Sequence, residues 1–566
     1  MATLVMIGYR AQPRLYGEIG SADGRGDLAA SEQQAYGLRN KQFLYIDLPV
    51  LALSSALFCL LLSYYAFDGQ LSEWDLYLAA LGLWDGYHSG AGIAGTTHYG
   101  KWHSFGYILL VYALGSPETF GPGDHLFRLM NLLGFWATVL CLPLLWTALA
   151  VKYGRKVAWP ATAIFIGSPV FLELAGGAHP LLLALAALLL GTILLWYPAR
   201  GVVELILRLL AGLVLCLALT LRLEVVLAFP LLVLAPQAEQ AWKQYVQGCL
   251  IRLGATLAAC VGFFLVRGRI LASGEEQSVE FFEAWYSLEN TPIGIVALVL
   301  ATGIASMFAL AWAGVKYIRE IMRSDASVAD RLQRALPLVG PVAVAGVTFV
   351  FWIANPLPAR HFLLFALAAS IIIALAIAAK RRTLTHAMRV AAMLIAGNQI
   401  LAAAVNPYLV HTSGFAAHRA WPYLLTAPSG FAWERREMLK EKWAGAMRAG
   451  EVVASRRCGE RLIVSAQLSS AVLAQIVSHM PDVPLTVRTM RYGDRVITMT
   501  EVTQPVHALI YTRASLRDPV LLNDVVDDAS LSDFRIAVIS EQPVTPGASA
   551  VPLERLASPN CSRIKA

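Results

Sequence analysis

Apolar runs of about twenty residues recur along this chain, at 126–151, 179–197, 291–315 and 336–354, and they limit the solvent it can fold in. A helix of that length spans the ~30 Å hydrocarbon layer of a bilayer. Only helices and closed barrels can satisfy every backbone N–H and C=O there. Composition agrees. Of 566 residues, 57% are hydrophobic and 15% are charged, against about 25% charged in an ordinary soluble domain. The chain therefore reads as a polytopic α-helical membrane protein, and disorder, collagen and a small disulfide scaffold are excluded. The net charge of +7 reads as topology and not as nucleic-acid binding, because Lys and Arg of such proteins collect in cytoplasmic loops.

The first apolar segment, 43–66, follows a polar tail and is too long for the apolar core of a cleavable signal, so it reads as a signal anchor. Spans of about 17–25 apolar residues then number about eleven, near 43–66, 126–150, 157–174, 179–197, 203–219, 224–236, 247–266, 291–315, 336–354, 361–379 and 386–406. Alternating sides puts Arg39/Lys41, Lys152/Arg155/Lys156, Arg200, Lys243/Arg252, the basic 316–334 loop and Lys380/Arg381/Arg382 together, with the N-terminus in the cytoplasm. This holds when the run 104–116 lies at the interface, as its length suits. The expected organisation is a tail at 1–42, a membrane module at 43–406 with a large outer loop at 67–125, and a soluble domain outside at 407–566. Short strand-like runs at 462–465, 496–499, 508–511 and 536–539 alternate there with helical stretches at 435–448 and 469–479, which suggests an α/β or α+β fold. Cys59, Cys141, Cys216, Cys249 and Cys260 fall in apolar sequence as small hydrophobes. Cys458 and Cys561 lie in the polar domain, where an oxidising space would let them pair.

The outer side keeps few cations before that domain: Lys101, Arg128, Arg222, Arg267, Arg269 and Arg360. Arg222 with Glu224, and Arg360 with His361, interrupt apolar sequence where a span meets the outer face. Such groups either snorkel to the interface or pair and line a polar pathway. Several on one face favour an anionic ligand, and a lipid phosphate lies at that depth. The outer loop adds Glu73, Asp75, Tyr77 and Lys101 among Trp74, Trp84 and Tyr87. The loop is either an aromatic belt or a site with a carboxylate base beside a phosphate-holding cation. The acids Glu275, Glu276, Glu280 and Glu283 read either as a solvated helix face or as a cover over a cavity.

In order and spacing these motifs resemble the GT-C superfamily of membrane glycosyltransferases, in particular the branch with lipid A aminoarabinose transferases and protein O-mannosyltransferases. The matching residues are Asp75-Leu76-Tyr77, the glycine-rich 89–93, Lys101 through Tyr107, and Arg128 with Asn131. Further along they are Lys152 to Lys156, Gly167-Ser168-Pro169, Thr220-Leu221-Arg222 and Pro358-Ala359-Arg360-His361. The resemblance covers about residues 43–380. Two departures stand out: Glu73 and Asp75 are split by Trp74 where the family pairs its acids, and His361 stands where the family has Tyr.

The resemblance implies an inverting transfer of a hexosyl or pentosyl group from a polyprenyl-phosphate sugar to a lipid, glycan or protein acceptor outside the plasma (inner) membrane. Asp75, with Glu73 as the alternative, would be the general base. Lys101 and Arg360 would hold the phosphate with Arg222 and Arg128 behind them, and Tyr77, His103 and His361 would line the acceptor side. No cofactor is expected. His88, His98 and His103 lack the spacing of a ligand set, although some distant superfamily members use a divalent metal. The alternatives are a secondary transporter, which repeats and broken helices with midplane charges would mark, and a non-catalytic assembly protein, which would tolerate loss of Asp75.

Overall fold

The computed structural model describes residues 47–66, 101–115, 125–175, 179–197, 201–235, 242–270, 288, 291–322, 328–354, 359–378, 383–411 and 448, and five short strands between 462 and 538. The helices are α1 (Leu48–Ala66), α2 (Lys101–Leu114), α3 (His125–Tyr153), α4 (Arg155–Ile166), α5 (Pro169–Leu174), α6 (Pro180–Trp196) and α7 (Val202–Leu221). They continue with α8 (Phe229–Leu234), α9 (Trp242–Ile270), α10 (Thr291–Thr302), α11 (Ile304–Met322), α12 (Val328–Trp352), α13 (Leu363–Ala378) and α14 (Leu384–His411). Two 3₁₀ segments, Leu223–Ala228 and Ala359–Phe362, lead into α8 and α13. The chain divides into two compact units, one of them the helical module with the beginning of α2, and the other containing the strands.

Among the described residues, five helices are long and apolar enough to cross a membrane, or six if a bent pair counts as one span. Their burial separates a centre from a rim. The window in α13 is 89% buried, whereas those in α7 and α9 are 22% buried. Leu205, Leu209, Leu213 and Leu217 of α7, and Leu257, Val261, Phe264 and Leu265 of α9, are exposed. An apolar surface that wide has its natural solvent in lipid. On the inner side, Ile373 and Ile377 of α13 pack with Ile164 of α4 and Ala387 and Ala391 of α14.

Three expected spans are interrupted. The segment 157–174 breaks between α4 and α5, where Ser168 Oγ donates to Phe165 O at 2.6 Å and Pro169 opens the next helix. Proline suits a first helical position and has no N–H with which to continue the preceding one. The segment 224–236 begins as a 3₁₀ helix before Pro230 sets α8. The segment 291–315 turns by 93° between α10 and α11. Gly303 sits there at φ +96°, a left-handed value that glycine adopts without strain. Asn398 of α14 fills the corner, accepting from Ser306 N–H at 3.0 Å and donating to Ser306 Oγ at 2.8 Å. The 104–116 run falls in α2, which kinks at Ser104 (φ −149°, ψ 27°); the part from Phe105 to Leu114 extends only ~15 Å, too short to cross the hydrocarbon layer.

Some of the loop cations have neighbours in other elements. Arg155, just past α3, donates to Asp47 at the head of α1 at 2.7 Å, and Trp159 Nε1 donates to the same oxygen at 3.1 Å. Lys152 and Arg252 likewise lie near enough for their charges to repel.

In the second unit, β1 (Leu462–Ser465), β2 (Leu485–Val487), β3 (Ala508–Thr512), β4 (Val525–Val526) and β5 (Phe534–Val538) form one mixed sheet in the order β2-β1-β3-β5-β4. β1 is parallel to both β2 and β3, and β5 is antiparallel to β3 and β4. Parallel neighbours need long crossovers, and the intervals 466–484 and 488–507 supply the length. Three expected strands, 462–465, 508–511 and 536–539, coincide with β1, β3 and the end of β5. The fourth, 496–499, lies outside the described residues, as do Cys458 and Cys561.

Candidate functional site

At its end α7 leaves the helical path at Arg222, which is extended (φ −159°, ψ 115°) before the 3₁₀ turn begins. Its N–H still bonds Ala218 O at 3.0 Å, so the residue is anchored while its side chain is released from the helix face. Two residues on, Glu224 returns to the same side, and Arg222 Nε donates to Glu224 Oε2 at 2.9 Å. Arg222 Nη1 reaches Ser104 Oγ of α2 at 3.4 Å. Gly106 makes the approach of α2 possible, since a Cβ there would run into Thr220.

The other carboxylate oxygen of Glu224, Oε1, meets Nδ1 of His361 in the 3₁₀ segment before α13. An ionised carboxylate only accepts, so Nδ1 carries the proton in this contact. The imidazole stacks on Trp352 at the end of α12, with centroids 4.2 Å apart and planes at 28°. The α2, α7, α12 and α13 segments thus converge on one carboxylate. The side chains of Arg222 and His361 are 5% exposed and that of Glu224 is 12% exposed. Snorkelling would leave the guanidinium in solvent, so of the two readings of Arg222 the paired, buried one applies.

Arg222 and Glu224 cancel in charge. Arg360, partly exposed beside His361, adds a further cation at this place. Cations gathered at a buried, fixed hydrogen-bond network suit an anion, which recovers charge-assisted bonds there that water would weaken elsewhere.

Of the residues singled out in the sequence, Arg222, Arg360 and His361 therefore come together. Lys101 and His103 fall on the first turn of α2, and Arg128 on the first turn of α3. Asp75, Glu73 and Tyr77 lie outside the described residues, as do His88 and His98. Among the described residues no three His, Cys, Asp or Glu side chains gather as metal ligands would. Sequence reasoning missed Glu224 as the bridge, and also Ser104 and Trp352. The doublet Arg222/Glu224 within apolar sequence was a legible sign of the first. Nothing local marks a tryptophan and a serine on other helices.

The sequence matches no family model and no curated protein. Its structure resembles that of ArnT from Cupriavidus metallidurans bound to undecaprenyl phosphate, with a TM-score of 0.51, 12% identity, and coverage of 88% of this chain and 99% of that one. The apo state of the same protein matches equally. The oligosaccharyltransferase of Archaeoglobus fulgidus, in complex with Zn and sulfate, aligns at a TM-score of 0.41 and 11% identity over 82% of this chain and 68% of that one. The ArnT likeness is one of fold, the GT-C fold that the loop and span motifs resemble.

Proposed function

We propose that this GT-C-fold chain is an integral-membrane glycosyltransferase that moves a sugar from a polyprenyl-phosphate donor to an acceptor on the extracytoplasmic side. The N-terminus lies in the cytoplasm and 407–566 outside. The observation that carries the reading is the buried cluster of Arg222, Glu224 and His361 with Arg360 beside it, at one end of a fold shared with a protein solved bearing undecaprenyl phosphate.

In this reading Asp75 takes the proton of an acceptor hydroxyl as its oxygen attacks the anomeric carbon, and the bond from that carbon to the phosphate oxygen breaks with inversion. The transferred group is a hexosyl or pentosyl unit. The leaving polyprenyl phosphate gains one negative charge. Positioned cations that meet this charge lower the barrier without a general acid. Arg360 and Lys101 have that role, with Arg222 and Arg128 behind them. Lys101 lies three residues before Ser104, whose hydroxyl accepts from Arg222, which favours its approach to the same anion. Glu224 holds Arg222 and His361 in place. Tyr77, His103 and His361 line the acceptor side.

The test is transfer of radiolabelled sugar in membranes supplied with polyprenyl-phosphate sugars, comparing the intact protein with Asp75→Asn and Glu73→Gln at matched expression. Loss with Asp75→Asn alone supports the assignment, and loss with Glu73→Gln alone moves the base to Glu73. Absence of transfer by the intact protein with every donor sinks the reading. Among the described residues, the bent pair α10/α11 and the breaks at Ser168-Pro169 and Leu223–Ala228 are the observations that favour a transporter. The corner of the bent pair, however, is filled by uncharged Asn398 and Ser306, and the buried charges lie at the bundle's ends.

A further inference from the structure

Roughly 30 Å from Arg222 along the 20 residues of α7, a second group of buried cations occupies the opposite end of the helical module. Lys152, in the last turn of α3, is 7% exposed and Arg252 of α9 is 4% exposed. No carboxylate partners either of them among the described residues. Lys152 Nζ has the ring of Trp196 as its neighbour, 5.5 Å from the centroid. Arg252 spends two of its five N–H donors, Nε on Val233 O at 3.0 Å and Nη2 on Cys249 Sγ at 3.4 Å.

The surroundings are built to hold these groups still. The last three carbonyls of α8 are each taken by a side chain: Leu232 O by Trp196 Nε1 at 3.2 Å, Val233 O by Arg252, and Leu234 O by Tyr245 Oη at 3.1 Å. The carbonyl end of a helix offsets part of the charge on Arg252. Among the described residues no helix end or carboxylate offsets Lys152 in the same way. A buried ammonium set over an indole is costly unless an anion completes it. Lys152 stands over Trp196, whose indole bonds the carbonyl next along α8 from the one that holds Arg252, so two cations from different helices are fixed at one end of α8, where a multiply charged oxyanion would answer both.

We propose that Lys152 and Arg252 form a binding site for a phosphate group, and that its source is the headgroup of an anionic membrane lipid. Basic pockets between transmembrane helices bind such headgroups. A lipid is favoured over a soluble ion because α9 is a rim helix: Arg252 lies on its buried face, and Leu250, Leu253, Leu257 and Val261 make its outer face an exposed apolar surface, which offers acyl chains a place to lie. This site is separate from the one assigned to transfer and does not depend on that assignment.

The experiment is thermal unfolding of the full-length protein in nanodiscs of pure phosphatidylcholine, of phosphatidylcholine with a minority of phosphatidylglycerol, and of pure phosphatidylcholine with added inorganic phosphate. The intact protein should gain about 2 °C or more with phosphatidylglycerol. Lys152→Met should lose that gain, and Lys152→Arg, which keeps the charge, should retain it. A gain with inorganic phosphate as well would make the site's ligand the phosphate group from either source. No gain by the intact protein with either probe overturns the proposal. So does a gain by Lys152→Met equal to that of the intact protein. Should Lys152→Met not survive purification, native mass spectrometry of the intact protein and Lys152→Arg decides: no preferential retention of phosphatidylglycerol over phosphatidylcholine overturns the site.

Discussion

Glu224 and His361, 137 residues apart in the chain, meet through Oε1 and Nδ1, while the second oxygen of the same carboxylate accepts from Arg222. One acid therefore fixes two cationic or potentially cationic groups that arrive from the ends of different helices. In the proposed reading it is a positioning residue, which holds a guanidinium and an imidazole beside the donor's phosphate.

Glu224→Gln should separate this positioning from simple bulk. The amide keeps the shape but removes the charge, leaving Arg222 buried without this counter-charge. Thermal unfolding should show a loss of about 3–5 kcal/mol, the scale for breaking a buried ion pair. An unchanged unfolding midpoint would mean that Arg222 finds another partner. Removing both charges with Arg222→Met and Glu224→Gln should recover part of the loss, as a double-mutant cycle would reveal.

Arg360→Gln tests the phosphate contact. Removing a donor that meets developing charge costs about 10²–10³-fold in turnover, so transfer of labelled sugar should fall by that order while the protein remains folded. A loss confined to the donor's KM would instead indicate ground-state binding only.

Gly303→Ala addresses the 93° turn. The φ of +96° is strained for any residue with a Cβ, and the added carbon would fall on the Asn398 side chain. A loss of about 2 kcal/mol or more is expected in thermal unfolding. Asn398→Ala, which makes room but leaves Ser306 N–H without its acceptor, should cost about 1–3 kcal/mol by itself. Equal stability of Gly303→Ala and the intact protein would show that the corner can relax.

Asp47→Asn weakens the tie between the head of α1 and the turn after α3. Arg155 is 23% exposed and can turn to solvent, so the expected cost is about 1–2 kcal/mol, below that of a fully buried pair. Arg155→Gln should give a similar value, and a much larger effect of Asp47→Asn would point to its bond with Trp159 as the stronger one.

The sequence by itself determined the solvent and most of the helices. Apolar length and Lys/Arg placement are sums over neighbouring residues, and a bilayer reads them without reference to the rest of the chain. The α2 run was legible as too short to cross, and Ser168-Pro169 and Pro230 were visible punctuation, although 157–174 and 224–236 were read as unbroken. Three of the strands were legible for the same local reason, alternating short apolar runs between turn-rich sequence.

Only the tertiary structure decided which charges are paired. Arg222 was compatible with snorkelling or with a buried contact until His361, Ser104 and Trp352 arrived from three other elements around Glu224. Lys152 looked like one more cytoplasmic cation, yet α6, α8 and α9 bury it with Arg252. The turn at Gly303 depends on Asn398, far along the chain on α14. Burial and pairing depend on distances between elements, and a distance set by packing α13 at the centre and α7 and α9 at the rim has no local trace in the residues that it brings together.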